Sequence, residues 1–192
     1  MKLPKSFNDI TVEQYQFANS ILKHRTDTDA WIGILSYFTG KSNEYYEELE
    51  LSKLQSLIAS VQFLLQPKLI TEINDTIIID NEFFKGTSDI TKGNFGQYAS
   101  IKTILTQGDT IDNLHLLLGE IYAPIHLYNL KYDSLDVANK MKHAGVGQVL
   151  GLVFFYSRVL KSLTPIIQEY LVTVEREIKA QGESLTEYTV GM

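Results

Sequence analysis

Cysteine is absent from the 192 residues of the chain, and several other features are scarce. Without cysteine there can be no disulfide, no thiolate metal site and no cysteine nucleophile, which is typical of a reducing compartment. The longest apolar run, VLGLVFFY from Val149 to Tyr156, is far shorter than the roughly 20 residues that span a bilayer. The opening residues MKLPKSFNDI hold no apolar segment of a secretory signal. We therefore expect a soluble protein that does not engage a membrane.

Positive charge is also in short supply. The 17 lysines and arginines are scattered and outnumbered by 23 aspartates and glutamates, which gives a net charge of -6. A protein that binds nucleic acid would normally show a basic face. We therefore expect no nucleic-acid partner. The hydrophobic share of 44% is ordinary for a globular protein and sufficient for a core.

Two stretches of the chain share one apolar pattern, which predicts an internal duplication. The segment from Tyr15 aligns without gaps with the segment from Tyr98. In both, apolar residues recur at helical spacing, a polar break follows, and a second helix carries Asp29 or Asp112 near its start. The alternative is that two amphipathic helices share this phase by chance.

Capping residues predict the ends of the first two helices. Thr11 and Gln14 have the spacing of a capping box, and Asp27 or Asp29 is expected to cap the next helix. Gly40 is placed to end that helix, because glycine adopts the left-handed conformation at helix C-termini without strain.

Two further helices are predicted from apolar spacing. Ser52 is expected to cap a helix over Lys53–Gln66, which Pro67 would stop. A long helix is expected to start at about Leu135 or Val146 and to run toward Ala180.

The only segments with the composition of β-strands lie between the two copies. IIIDNEFF places Asp80 and Asn81 between β-branched and aromatic runs, as in a two-residue hairpin turn. This region is expected to form a small hairpin or a three-stranded ribbon, since nothing else in the chain could extend it into a sheet. The predicted fold is mainly α, an internally duplicated helical domain with a small β-hairpin insert in one compact unit. Its parts are an N-terminal helical repeat (1–66), a hairpin connector (67–88), a C-terminal repeat with a long helix (89–180) and a polar tail (181–192).

The stretch TKGNFGQYASIK, residues 91–102, resembles the glycine-rich loop of protein kinases. That loop needs three spaced glycines between two strands, and here Thr91 occupies the first glycine position. Lys102 also follows too closely to lie on a separate strand. We therefore interpret the stretch as an elongated helix start, in which Asn94 and Gln97 correspond to the predicted cap of the first copy.

No pattern of metal ligands or catalytic groups emerges. The four histidines lack the spacing of convergent ligands, so no metal and no cofactor are expected. The acidic and aromatic segment with Tyr45 and Tyr46 and the hairpin pair Phe83 and Phe84 are the candidate protein interfaces, because aromatic residues beside charges are typical of such surfaces. The polar C-terminal tail (181–192) is a further candidate, and Gly147 and Gly151 complete the set. Their spacing predicts close approach of another backbone, either within the chain or from a second subunit.

Several segments together resemble a known group of proteins. They are LPKSFNDITVEQY, ILSYFTGKSNEYYEELELSKLQSL, IIIDNEFF, ITKGNFGQY and NLHLLLGEIY. Over most of its length the chain resembles tail assembly chaperones and minor virion proteins of phages, especially those of Bacteroidetes-like hosts. The resemblance implies an assembly or structural role without catalysis, other phage structural proteins as partners, a possible homo-oligomer, and a location in the virion or the host cytoplasm. It carries over no catalytic residue.

Two other functions stay open from the sequence. One is a small metal-dependent helical hydrolase in which Asp29 and Asp112 act as equivalent carboxylates of the two copies, although helix capping explains the same residues. The other is a regulatory adaptor whose helices bind a peptide.

Overall fold

A computed structural model of the protein describes residues 3–65, 72–86, 95–106 and 109–162. The chain divides into two compact units, residues 1–155 and 156–192. The described part of the second unit, 156–162, is helical. The predicted stop at Pro67, the predicted cap at Asn94 and the polar tail lie outside the described residues.

The N-terminal part of the first unit consists of four helices. They are α1 (Val12–Leu22), α2 (Thr28–Thr39), α3 (Asn43–Glu47) and α4 (Leu51–Val61), with short 3-10 turns at Phe7–Asp9 and Gln62–Leu65. The capping box of Thr11 and Gln14 is confirmed, since each side chain bonds the other residue's backbone N–H. Asp27 caps α2 by accepting from the Ala30 N–H, and Gly40 ends it with a φ of 71°.

The prediction for α4 was wrong at both ends. The helix begins at Leu51 rather than Lys53, and no side chain caps it. Its first turn is closed by the Glu50 carbonyl oxygen, which accepts from the backbone N–H groups of Lys53 and Leu54. At the other end the chain tightens after Val61 into the 3-10 turn, a common way for a helix to end.

The C-terminal part of the first unit contains α5 (Phe95–Thr106), α6 (Leu114–Ile121), α7 (Ser134–Met141) and α8, which begins at residue 146. The predicted end of the long helix near Ala180 lies outside the described residues. Of its two predicted starts, Val146 is confirmed and Leu135 is wrong, since α7 and α8 are separate helices. They are separated because the connection bonds the start of α1, where Val12 donates to the Ala144 carbonyl at 2.9 Å. Val146 in turn donates to Ile10.

The helix pair α5–α6 lies where the duplication places it. In the gapless alignment α1 (Val12–Leu22) corresponds to residues 95–105, which lie within the described part of α5. The second helices agree less well, since Thr28 begins α2 but its counterpart Ile111 precedes the start of α6 at Leu114. The duplication stays a prediction.

The hairpin is confirmed. Strands β1 (Thr76–Ile79) and β2 (Glu82–Gly86) pair in antiparallel fashion. Asp80 and Asn81 have φ values of 49° and 64°, as a type I′ turn requires.

A third strand corrects the expectation that nothing extends the hairpin. β3 (Tyr122–Pro124) follows α6 directly and pairs with β2. Pro124 is tolerated because β3 is an edge strand of the sheet, which has the order β1-β2-β3. The fold is thus mainly α with a small antiparallel sheet, as predicted.

The core of the first unit is centred on α6. Leu117 and Leu118 are fully buried, and α7 packs closely across the helix at Gly119. A Cβ at Gly119 would come within 2.8 Å of the Ala138 Cβ. Glycine at this position therefore permits the contact that brings α7 and α6 together.

Candidate functional site

The outer face of the hairpin carries two apolar side chains that are about half exposed. Along β1 and β2 alternate residues point to opposite faces, so Ile77, Ile79 and Phe84 are buried. Ile78 and Phe83 point outward, are direct cross-strand partners, and are 55% and 48% exposed. We call this pair the hairpin patch. It is an aromatic and aliphatic pair in a fixed register on a surface that water reaches.

Phe84 does not belong to this surface, which corrects its selection as an interface candidate. Its side chain is 0% exposed and lies on the core face of β2, with the Lys140 ammonium 5.8 Å from its ring centroid. The strand period of two places neighbouring phenylalanines on opposite faces. Only Phe83 is accessible to a partner.

Two polar contacts from the end of α7 hold the hairpin turn in place. Lys140 forms a salt bridge with Glu82, at 2.5 Å, and His143 Nδ1 lies 3.1 Å from an Asp80 carboxylate oxygen. The strand β3 adds a third connection, since the Tyr122 hydroxyl donates to the Asn74 carbonyl at 2.7 Å. The hairpin patch is therefore presented on a supported element rather than on a free loop.

The two tyrosines of α3 likewise differ in exposure, one at the surface and one in the core. Tyr45 is 43% exposed, and the Lys41 ammonium lies 3.6 Å from its ring centroid. Tyr46 is buried, and its hydroxyl is 2.5 Å from the Thr39 Oγ1. Tyr46 is therefore a core residue that anchors α3 to the end of α2, and its selection as an interface candidate is corrected.

The two glycines of α8 approach other parts of the same chain. A Cβ at Gly147 would overlap the Asn8 side chain, and a Cβ at Gly151 would overlap the Glu72 carbonyl oxygen. Of the two arrangements that their spacing allows, the geometry shows the approach within the chain. Neither glycine faces a surface that a second subunit could reach without displacing those residues.

The two carboxylates of the hydrolase alternative have different surroundings. Asp29 lies exposed in the first turn of α2. Asp112 forms an ion pair with Lys23 and accepts a hydrogen bond from Asn19 at 3.3 Å. The hydrogen bond from Lys23 is the main reason that the pKa of Asp112 lies below its usual range. Among the described residues, no group of three or more metal-ligating side chains could hold an ion.

This pair gives a prediction about acid stability. Because its pKa is lower in the folded protein, Asp112 stabilises the fold above the unfolded pKa of about 4, and this contribution disappears as the pH falls through the folded value. We expect Asp112→Asn to lower the free energy of unfolding by up to about 1 kcal/mol at pH 7, since the pair is partly exposed and solvent screens it. Urea denaturation at pH 7 and pH 3 measures the difference, with Asp29→Asn as control. An equal loss at both pH values would contradict the assignment.

His115 belongs to a structural contact between α1 and α6. Its Nδ1 lies 2.9 Å from the Gln16 Nε2, which also donates to the Ile111 carbonyl. Since an amide nitrogen can only donate, Nδ1 is the acceptor. Burial lowers the pKa of His115, helped by the Lys142 charge. His115 thus serves as a neutral hydrogen-bond acceptor.

The glycine-rich stretch is described from Phe95 onward, so its first part and the Asn94 cap lie outside the described residues. From Phe95 it is helical, as predicted, and Lys102 lies on α5. Gln97, which corresponds to Gln14, donates to the Glu120 carbonyl oxygen of α6. Its side chain thus links the two helices.

An open surface pocket that the sequence reasoning missed, which we call the cavity, lies between α5, α6 and α7, and Leu135 in its lining is 58% exposed. Its volume is about 390 Å³, and Glu120 provides its one charged wall. Burial raises the pKa of the Glu120 carboxyl, although the Ser134 hydroxyl donates to it at 2.9 Å. The signal in the sequence was a single acidic residue in the apolar run LHLLLGEIY.

The described helices include none that is long and apolar enough to cross a membrane. Comparison of the chain with protein-family models, with curated proteins and with solved structures found no match.

Proposed function

We propose that the protein acts by binding other proteins, as an assembly or structural protein of a phage particle. Two roles fit, a tail assembly chaperone or a minor virion component. The observation that carries the binding role is the hairpin patch, Ile78 and Phe83, on the solvent face of the supported sheet. The phage context comes from the resemblance of the sequence segments.

The chemistry of the hairpin patch suits a protein partner. Aromatic side chains are enriched where proteins bind each other, and they gain most when water is excluded around them. Next to the patch, Lys85 lies with its ammonium 4.6 Å from the ring centroid of Tyr128, which adds a charged border. The supported turn lowers the loss of conformational freedom on binding, because little of the surface has to become ordered.

A double substitution tests this role. We expect Ile78→Ser with Phe83→Ser to weaken binding to a phage structural protein encoded beside this chain by at least about tenfold, as loss of a central aromatic contact does. Both side chains are exposed, so the fold should remain. Binding to each co-purified neighbour protein would be measured by calorimetry, with circular dichroism to verify folding.

Leu51→Ser is the matched control, because Leu51 is an exposed apolar side chain on a different element, α4. It should bind like the unchanged protein. Unchanged affinity of the folded double variant for every partner would contradict the proposed surface. Mass spectrometry of purified particles then separates the two roles, since a virion component is present in them and a chaperone is not.

A further inference from the structure

The cavity between α5, α6 and α7 has the composition of a site for one extended apolar group with a polar end. Its lining residues are mostly apolar or small; they are Ala99, Ser100, Thr103, Ile104, Leu116, Glu120, Ser134, Leu135 and Ala138. The volume of about 390 Å³ is at the lower end of the range of about 300 to 1,000 Å³ found for ligand pockets. It therefore suits a small ligand or a single side chain.

Glu120 is the only charged side chain among the lining residues. The Ser134 hydroxyl donates to one carboxylate oxygen, and no basic side chain of the described residues forms an ion pair with Glu120. Tyr132 is a titratable neighbour of Glu120 and remains neutral. Burial, together with the Glu120 charge, raises the pKa of Tyr132 to about 12. A partly buried carboxylate thus retains the capacity to accept hydrogen bonds from a cation.

We propose that this cavity binds a primary alkylammonium group, with the methylene chain against Ile104, Leu116 and Leu135 and the ammonium on the carboxylate of Glu120. The group is either the side chain of a lysine in a protein partner or a free alkylamine. This site is separate from the hairpin patch and does not depend on the role proposed for it.

Other ligand classes fit less well. An anion would meet the Glu120 carboxylate without a basic residue in the lining to offset it. A purely apolar ligand would leave that carboxylate partly desolvated and without a cation, which costs free energy. A guanidinium is broad and planar and prefers a bidentate geometry, whereas here one carboxylate oxygen already accepts from Ser134. An ammonium needs only the acceptors that remain.

Titration of the full chain with Nα-acetyl-lysine N-methylamide tests the proposal. Two-dimensional NMR should show shifts at residues of α5, α6 and α7, and saturable binding at pH 7. We expect Glu120→Gln, which keeps the shape and the bond from Ser134, to weaken this binding at least about tenfold. The neutral analogue with an acetylated lysine amine should bind at least about tenfold more weakly to the unchanged protein.

Control variants and a second probe make the outcome specific. Asp136→Asn removes a carboxylate from α7, one of the three helices around the cavity, at a position outside its lining, and should leave binding unchanged. Equal binding of the charged and acetylated probes, or no loss in folded Glu120→Gln, would overturn the proposal. Pentane-1,5-diamine distinguishes the sources: tighter binding than the lysine probe indicates a free amine, and weaker binding indicates a lysine side chain. A negative result for the cavity would not count against binding at the hairpin patch, since Ile78→Ser with Phe83→Ser is tested separately.

Discussion

Phe84→Ala is expected to lower the free energy of unfolding by about 3 to 5 kcal/mol, whereas Phe83→Ala should lower it by no more than about 1 kcal/mol. The two residues are adjacent and chemically identical. Phe84 is 0% exposed and lies over the core, so its removal leaves a cavity. Phe83 is exposed and loses only its cross-strand contact with Ile78.

Urea denaturation of both variants, followed by circular dichroism, measures the difference directly. If Phe84→Ala proves too unstable to purify, Phe84→Leu gives the same ordering with a smaller loss. Equal losses at the two positions would contradict the strand register, because a shift by one residue exchanges the buried and exposed faces. The result also decides how a loss of partner binding by these variants is interpreted. Loss of partner binding by Phe84→Ala would report unfolding, and loss by Phe83→Ala would report contact.

Gly151→Ala is expected to destabilise the protein by about 3 kcal/mol, and the same substitution at Gly33 should stabilise it by about 0.5 to 1 kcal/mol. Both glycines lie within helices, where alanine is favoured over glycine. At Gly151 the new methyl group would overlap the Glu72 carbonyl oxygen, which is main chain and cannot rotate away. At Gly33 nothing lies within 4 Å of an added Cβ.

Thermal and urea denaturation of the two variants measures the expected loss of stability at Gly151 and the expected gain at Gly33. Gly147→Ala should fall between them, because the atoms it meets first belong to the side chain of Asn8, which can move. A stabilised Gly151→Ala would show that α8 does not pack on residue 72. A change in oligomeric state, rather than in stability, would instead indicate a subunit contact at this helix.

The local elements of this protein could be predicted where one short stretch contains all the chemistry that decides them. Thr11 and Gln14 bond each other across one turn, and Asp80 and Asn81 adopt the left-handed conformation that their own side chains tolerate. Gly40 ends α2 for the same reason. None of these outcomes requires a distant residue.

Residues whose role depends on a distant partner could not be assigned in this way. Tyr45 and Tyr46 have the same side chain in the same acidic segment, and they are distinguished by tertiary contacts such as that of Tyr46 with Thr39. From the sequence, Glu120 was one acidic residue in an apolar run, and only the packing of α5 and α7 beside it forms the pocket that it lines. The strand Tyr122–Pro124 is too short to be recognised without β2 beside it.

The sequence by itself determined a mainly α fold, the hairpin and its turn, and the caps of α1 and α2. These depend on backbone preferences and on hydrogen bonds between near neighbours, which a few consecutive residues fix. The tertiary structure alone decided which phenylalanine and which tyrosine are exposed, what the glycines of α8 contact, and that a carboxylate lines a cavity. Those outcomes depend on burial, which is set by segments far apart in the chain that exclude water from each other.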